Sequence, residues 1–179
     1  QAGDDVYITN GESFLSNSTF VLSSLTITNA ALIFTNWATV LRATNVNVRS
    51  GGRLTIAAAF SNMPTIMSNR IYVVCTNFTL DASGFVDADG KGYDADTGPG
   101  TGVVGTWAGA GGYGGKGGDG GTSGGSGSAA GMPYGSVNAP ALPGSSGGSY
   151  VLWGGNRGAA GGGAIHIEAW NTLTVNGTI

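Results

Sequence analysis

Charge is scarce in this chain of 179 residues: Asp, Glu, Lys and Arg together make up 9%, against a usual ~25%. The net charge of −3 leaves no basic footprint, which argues against nucleic acid as a partner. Cysteine occurs once, at Cys75, so no disulfide can form within the chain. In IYVVC at 71–75 it reads as a small buried apolar residue. Histidine also occurs once, at His166. With no second histidine or cysteine nearby, a metal or nucleophile–base role there has little support. No apolar run is long enough to span a bilayer, and no segment carries an amphipathic helical pattern. Scarce charge does not mean disorder: the chain is 41% hydrophobic and has four tryptophans, enough to bury a core.

What is present is short strands and glycine. LTI at 25–27, VNV at 46–48, LTI at 54–56, FTL at 78–80 and LTV at 173–175 each set a polar residue between two apolar ones. That is the period-two pattern of a strand with one buried face. Thr-Asn pairs at 9–10, 28–29, 35–36, 44–45 and 76–77, and Gly51-Gly52, are expected at the corners between strands, since Asn and Gly tolerate left-handed backbone. Strands this short, with few two-residue hairpin signals and a unit that recurs without strict length, point to an all-β parallel β-helix, or β-solenoid. A β-sandwich is the alternative. FTLDASGFVDADGKG at 78–92 is echoed by LTVNGTI at 173–179, where the second copy stops in mid-pattern without a polar cap.

Between the two copies lie residues 98–163, with 27 of the 35 glycines and three charges, Lys116, Asp119 and Arg157. Glycine recurs every third residue at 112, 115, 118, 121, 124 and 127, and in a second register at 111, 114, 117 and 120 that gives way to Ser123 and Ser126. Period three is that of a polyproline-II helix. Collagen is excluded for 111–127, which has no proline and often two glycines per triplet. A flexible linker would have no use for Trp107, Tyr113, Tyr134, Tyr150 and Trp153. Packed polyglycine-II strands bonded to one another through their backbones are therefore expected, clamped by these aromatics. Gly115 and Gly118 are expected at close contacts that a Cβ would disrupt. The resulting organisation is solenoid rungs over 1–97, a polyglycine-II insertion over 98–163 and a returning rung over 164–179.

The motifs DADGKGY at 87–93, GPGTG at 98–102, GGYGGKGGDGG at 111–121, YGS at 134–136, PGSSGG at 143–148 and GAAGGGAIHIEAWNTLTVNGTI at 158–179 follow one another in an informative order. Over roughly 78–179 the chain resembles a glycine-rich β-solenoid module of large secreted and cell-surface proteins of bacteria. The resemblance implies an extracellular, non-catalytic, repetitive protein and transfers no catalytic residue. Residues 1–77 read as generic solenoid. Gln1-Ala2-Gly3 reads as a mature N-terminus left after cleavage.

Candidate chemistry is thin. Asp87, Asp89, Asp94 and Asp96 in DADGKGYDAD have the spacing of the opening of a calcium loop, though the twelfth position counted from Asp87 is Gly98 rather than Glu. Calcium is the one cofactor suggested; a polar turn is the plainer reading. His166 and Glu168 in AIHIEA should face away from the core. Asp4, Asp5 and Glu12 look like solvated charges, and no carboxylate pair marks a polysaccharide-cleaving site. Asn17, Asn77 and Asn176 head glycosylation sequons. The expected function is a structural subunit of an extracellular filament, sheath or adhesin, forming a homopolymer through open solenoid ends. The alternatives are a module binding surface glycans, or a polysaccharide-degrading β-helix enzyme.

Overall fold

A computed structural model describes residues 2–59, 67, 69–121, 127–151 and 155–179. Trp153 and the positions 123, 124 and 126 singled out above lie outside them. The chain divides into two compact units. One comprises 1–57, 68–87 and 165–179, the other 58–67 and 88–164.

The first unit is all-β. Its strands are β1 (Asp5–Ile8), β2 (Gly11–Leu15), β3 (Leu22–Ile27), β4 (Ala30–Phe34), β5 (Leu41–Val48), β6 (Arg53–Ile56), β7 (Ile71–Leu80), β8 (Phe85–Asp87) and β9 (Ile165–Val175). Odd-numbered strands form one sheet in the order β1-β3-β5-β7-β9, and even-numbered strands form a second in the order β2-β4-β6-β8. Every pairing within them is parallel. After the glycine-rich segment the chain returns to the first sheet, where β9 pairs along β7.

Register puts like on like. Leu25, Val46, Phe78 and Leu173 form one column across the first sheet, and Ile27, Val48, Leu80 and Val175 the next. Thus four of the five apolar-polar-apolar triplets are direct partners. Ile27, Val48, Phe78 and Leu80 are wholly buried, which contributes about 1.5–3 kcal/mol each relative to exposure. The fifth triplet departs from the pattern. Thr55 in β6 is buried, because its hydroxyl donates to the Asp87 carbonyl at 2.8 Å and so meets its polar need inside.

Two kinds of corner repeat from level to level. Between β3 and β4 only Thr28 and Asn29 intervene, and Asn29 is left-handed at φ 50°. In the next turn Gly51 takes a left-handed position at φ 67°, where a Cβ would collide with the Asn29 side chain. The turns are bonded to each other, from Asn29 N–H to Ser50 O and from Gly51 N–H to Ser83 O. The pairs Thr44-Asn45 and Thr76-Asn77 correct an expectation, since they lie inside β5 and β7 rather than between strands. They still mark a change of direction. Core-facing residues in β5 are Leu41 and Ala43, then Val46 and Val48, so the alternation slips by one at 44–45. The same slip separates Cys75 from Phe78 in β7 and Leu22 from Leu25 in β3.

Among its described residues the second unit has no regular ladder, yet many of its backbone groups are paired. Segment 107–112 bonds to four other stretches of chain: Gly112 N–H reaches Gly100 O, Ala110 N–H reaches Gly118 O, Gly131 N–H reaches Ala110 O and Gly148 N–H reaches Gly109 O. Bonds radiating in several directions distinguish this from a sheet, where each strand has two neighbours. Such closeness needs glycine on the inside. A Cβ at Gly117 would strike the Ala110 carbonyl, and one at Gly120 the Trp107 carbonyl. Gly115 and Gly118, expected at close contacts, instead face open space. The register at 111, 114, 117 and 120 packs inward throughout, while the other is open at 115, 118 and 121 but packed at Gly112 and Gly127. Aromatic rings bridge segments: Tyr113 meets Tyr134 edge-on at 5.1 Å, and Trp107 lies 6.3 Å from Tyr150.

Gly117→Val and Gly120→Val are therefore expected to destabilise this unit by more than about 2 kcal/mol in urea unfolding, through overpacking against backbone. Gly115→Ala and Gly118→Ala should be neutral, or stabilising by about 0.4–1 kcal/mol through the unfolded chain. Equal losses at all four positions would contradict the assignment of registers.

Candidate functional site on the outer face of the first sheet

The four aspartates with calcium-loop spacing are put to separate uses. Asp87 accepts from the Arg53 guanidinium at 3.0 Å. Asp94 accepts from its neighbour's Ala95 N–H and from Arg157, both at 2.8 Å. Asp96, left-handed at φ 63°, accepts from both N–H and hydroxyl of Ser149 at 2.6 Å. Asp89 stands in the turn after β8. Among the described residues no three Asp, Glu, His or Cys side chains gather as a metal ion would require. The three charges of the glycine-rich segment are likewise spent internally: Arg157 on Asp94, and Lys116 on Asp119, which also accepts from Ala130 N–H.

Chemical variety is concentrated on the outward face of β5, β7 and β9. His166 and Glu168 face outward, as their alternation with Ile165 and Ile167 requires. His166 stacks on Tyr72, its partner in register, with rings 4.7 Å apart and 10° from parallel. Glu168 receives the Tyr72 hydroxyl at 2.8 Å and faces His166 Nε2 at 3.3 Å. The bond to Glu168 is the main reason the Tyr72 hydroxyl titrates above its ordinary range, with desolvation adding to it. Tyr72 is thus held as a donor. Arg70 continues the stack, its guanidinium 4.4 Å from the Tyr72 ring and 4.9 Å from the Trp37 ring, with its Nε–H donating to Trp37 O. These contacts were not legible in the sequence, where Trp37, Arg70 and His166 are far apart.

Beside this cluster is an open groove of about 160 Å³, bordered by Val21, Arg42, Thr44, Val74, Thr76 and Trp170. Trp170 is 76% exposed. Its position has a local cause. Cys75 pairs with Ala169 and Asn77 with Thr172, so Trp170 and Asn171 together oppose Thr76 in a β-bulge. Asn171 is anchored by donating to Asn77 Oδ1 at 2.8 Å, while Asn77 donates to Asn45 Oδ1 at 2.8 Å. The three asparagines form a ladder across β5, β7 and β9 at the corner where the alternation slips. Cys75, behind the groove, is buried, and burial pushes its thiol up to about 11, so it is inert at neutral pH.

The ladder also separates the sequons. Both ends of the Asn77 amide are engaged, whereas Asn17 and Asn176 are exposed.

Comparison with known proteins adds one finding: the G8 domain profile matches residues 1–81, the stretch from β1 through β7. No curated protein and no solved structure matches the chain significantly. The likeness thus covers less than half of the chain and none of the glycine-rich segment. Among the described residues no helix is long and apolar enough to cross a membrane.

The acid limb of stability follows from the carboxylates. The Ala95 N–H, with help from Arg157, holds Asp94 below its ordinary 3.8, and the Ala130 N–H, with Lys116, does the same for Asp119. A carboxyl depressed by folding contributes stability that is complete above its unfolded value and is lost as pH falls through its folded one. Thermal unfolding should therefore be insensitive to these groups from neutrality down to about pH 5, then lose stability progressively below it. Asp94→Asn combined with Asp119→Asn should flatten that loss. An unchanged acid limb in the double variant would contradict the assignment.

Proposed function

We propose that the chain is a non-catalytic β-solenoid module of a secreted or cell-surface protein, carrying a polyglycine-II bundle, and that it serves as a structural subunit of an extracellular filament, sheath or adhesin. The observation that carries this reading is the alternation of successive strands between two sheets in which every pairing is parallel. One full turn of a coil adds one strand to each sheet. The asparagine ladder belongs with it, because stacking identical residues at a corner requires successive turns to superimpose. The glycine-rich segment supports a structural role for a different reason. Its few charged groups pair with one another or with nearby chain, so it is organised for cohesion.

The polyglycine-II reading rests on period-three glycine and on backbone bonds that radiate to several neighbours. Likeness to glycine-rich modules of bacterial surface proteins is consistent with both features. Self-association proceeds along the coil axis. Among the described residues β9 has a strand partner on one side only, and so does β1. Because all strands run the same way, the free edge of β9 is complementary to that of β1 in a second copy, a head-to-tail contact that propagates.

Analytical ultracentrifugation and electron microscopy test this. The protein should form end-to-end oligomers that lengthen with concentration. Val175→Pro, which removes a backbone donor at the edge strand, should shorten them. A protein that sediments as a monomer at high concentration and shows no fibres would contradict assembly through the sheet edges.

A further inference from the structure

We infer that the groove beside Trp170 is a binding site for one acidic sugar ring of a polysaccharide. Its size sets the first limit. About 160 Å³ is close to the ~150 Å³ that holds a benzene molecule, so the groove takes one six-membered ring and leaves the rest of a longer ligand outside.

The second observation is the placement of Trp170. An indole left 76% exposed gains little from its own fold. Here it is nevertheless held, because the bulge that displays it is pinned through Asn171 to the asparagine ladder. With the backbone beneath it anchored, the solvent-facing indole has less freedom left for binding to remove. The apolar face of a sugar ring suits such a plane. Thr44 and Thr76, both exposed at the groove edge, place hydroxyls within the same site for the ring's own hydroxyls.

Charge decides the class of ring. The other described arginines of this unit are occupied: Arg49 faces Asp81, Arg53 is bonded to Asp87, and Arg70 lies between Trp37 and Tyr72. Arg42 lines the groove and, among the described residues, its guanidinium has no carboxylate partner. The outward carboxylate in its row, Glu168, lies beyond Val74 in register and is engaged by Tyr72 and His166. The backbone of Arg42 is fixed, its N–H donating to the Thr19 hydroxyl at 2.7 Å and its carbonyl accepting from that hydroxyl at 3.1 Å. A guanidinium carried on an anchored backbone, lining a ring-sized groove and without a carboxylate partner among the described residues, fits a carboxylate on the ligand.

The test uses isothermal titration of the whole chain with tetrasaccharides of galacturonate and of mannuronate, a neutral glucose tetrasaccharide, and benzoate. At least one uronate should bind, and weaken as salt is raised. The neutral oligomer should bind at least about tenfold more weakly. Trp170→Ala and Arg42→Gln should each reduce uronate affinity by about tenfold or more while melting curves stay unchanged, which separates lost contacts from lost fold. Should Arg42→Gln lower the melting temperature, Arg42→Lys, which keeps the charge but not the fork, should still weaken uronate binding. The inference is overturned if neither uronate binds, if the neutral oligomer binds equally well, if benzoate alone binds, or if Trp170→Ala leaves uronate affinity untouched. None of these outcomes depends on whether the chain polymerises.

Discussion

Parallel stacking in register is the constraint on which the first unit depends. When parallel strands pair in register, each residue sits beside its counterpart, and a side chain that suits one strand must suit the next. Apolar residues satisfy this by forming columns such as Leu25, Val46, Phe78 and Leu173. Polar residues at a corner satisfy it only if they can both donate and accept along the stack. Asparagine does so, and Asn45, Asn77 and Asn171 are joined through their amides in that way. The bulge in β9 is a consequence. The ladder takes Asn171 while the backbone pairs Thr172, and the residue displaced outward is Trp170. Thus a requirement of the fold sets the geometry of the groove.

The glycine-rich unit meets a related requirement by removing side chains. Backbone donors and acceptors still need partners when buried. With no Cβ on the inward register, segments approach until carbonyls and N–H groups meet directly, as around 107–112. Ordering so much glycine is entropically expensive, so the gain must come from many bonds at once. Its charged groups serve the same end, with Asp94, Asp96 and Asp119 accepting from backbone N–H groups as well as from side chains.

Features that depend on local pattern were legible in the sequence, and those that depend on register were not. Alternation in LTI, VNV and FTL revealed the strands and their buried faces, and the likeness of 78–80 to 173–175 pointed to a return to the same sheet system, where β9 is found beside β7. Period-three glycine indicated close-packed backbone, but which register faces inward depends on where the neighbouring segments lie. That is why Gly115 and Gly118 were expected at contacts made instead by Gly117 and Gly120. Thr-Asn pairs signalled corners but not whether a corner interrupts a strand or bends it. Carboxylate spacing around Asp87 gave no hint that Arg53, Arg157 and Ser149 would take these side chains one by one. The groove escaped notice because Val21, Arg42, Val74 and Trp170 come together only when the strands of the first sheet are aligned side by side.

Both units owe their order, on this account, to backbone hydrogen bonds between segments distant in sequence. Residue-resolved amide hydrogen exchange tests this most directly. The amides of Gly109, Gly112, Gly117 and Gly131, each bonded to another segment, should exchange slowly, as those inside β5 and β7 do. The amides of Gly115 and Gly118, which face open space, should exchange at nearly the rate of an unstructured chain. Uniformly fast exchange across 109–131 would contradict the account, because the glycine-rich unit would then be a loose chain without a bonded interior.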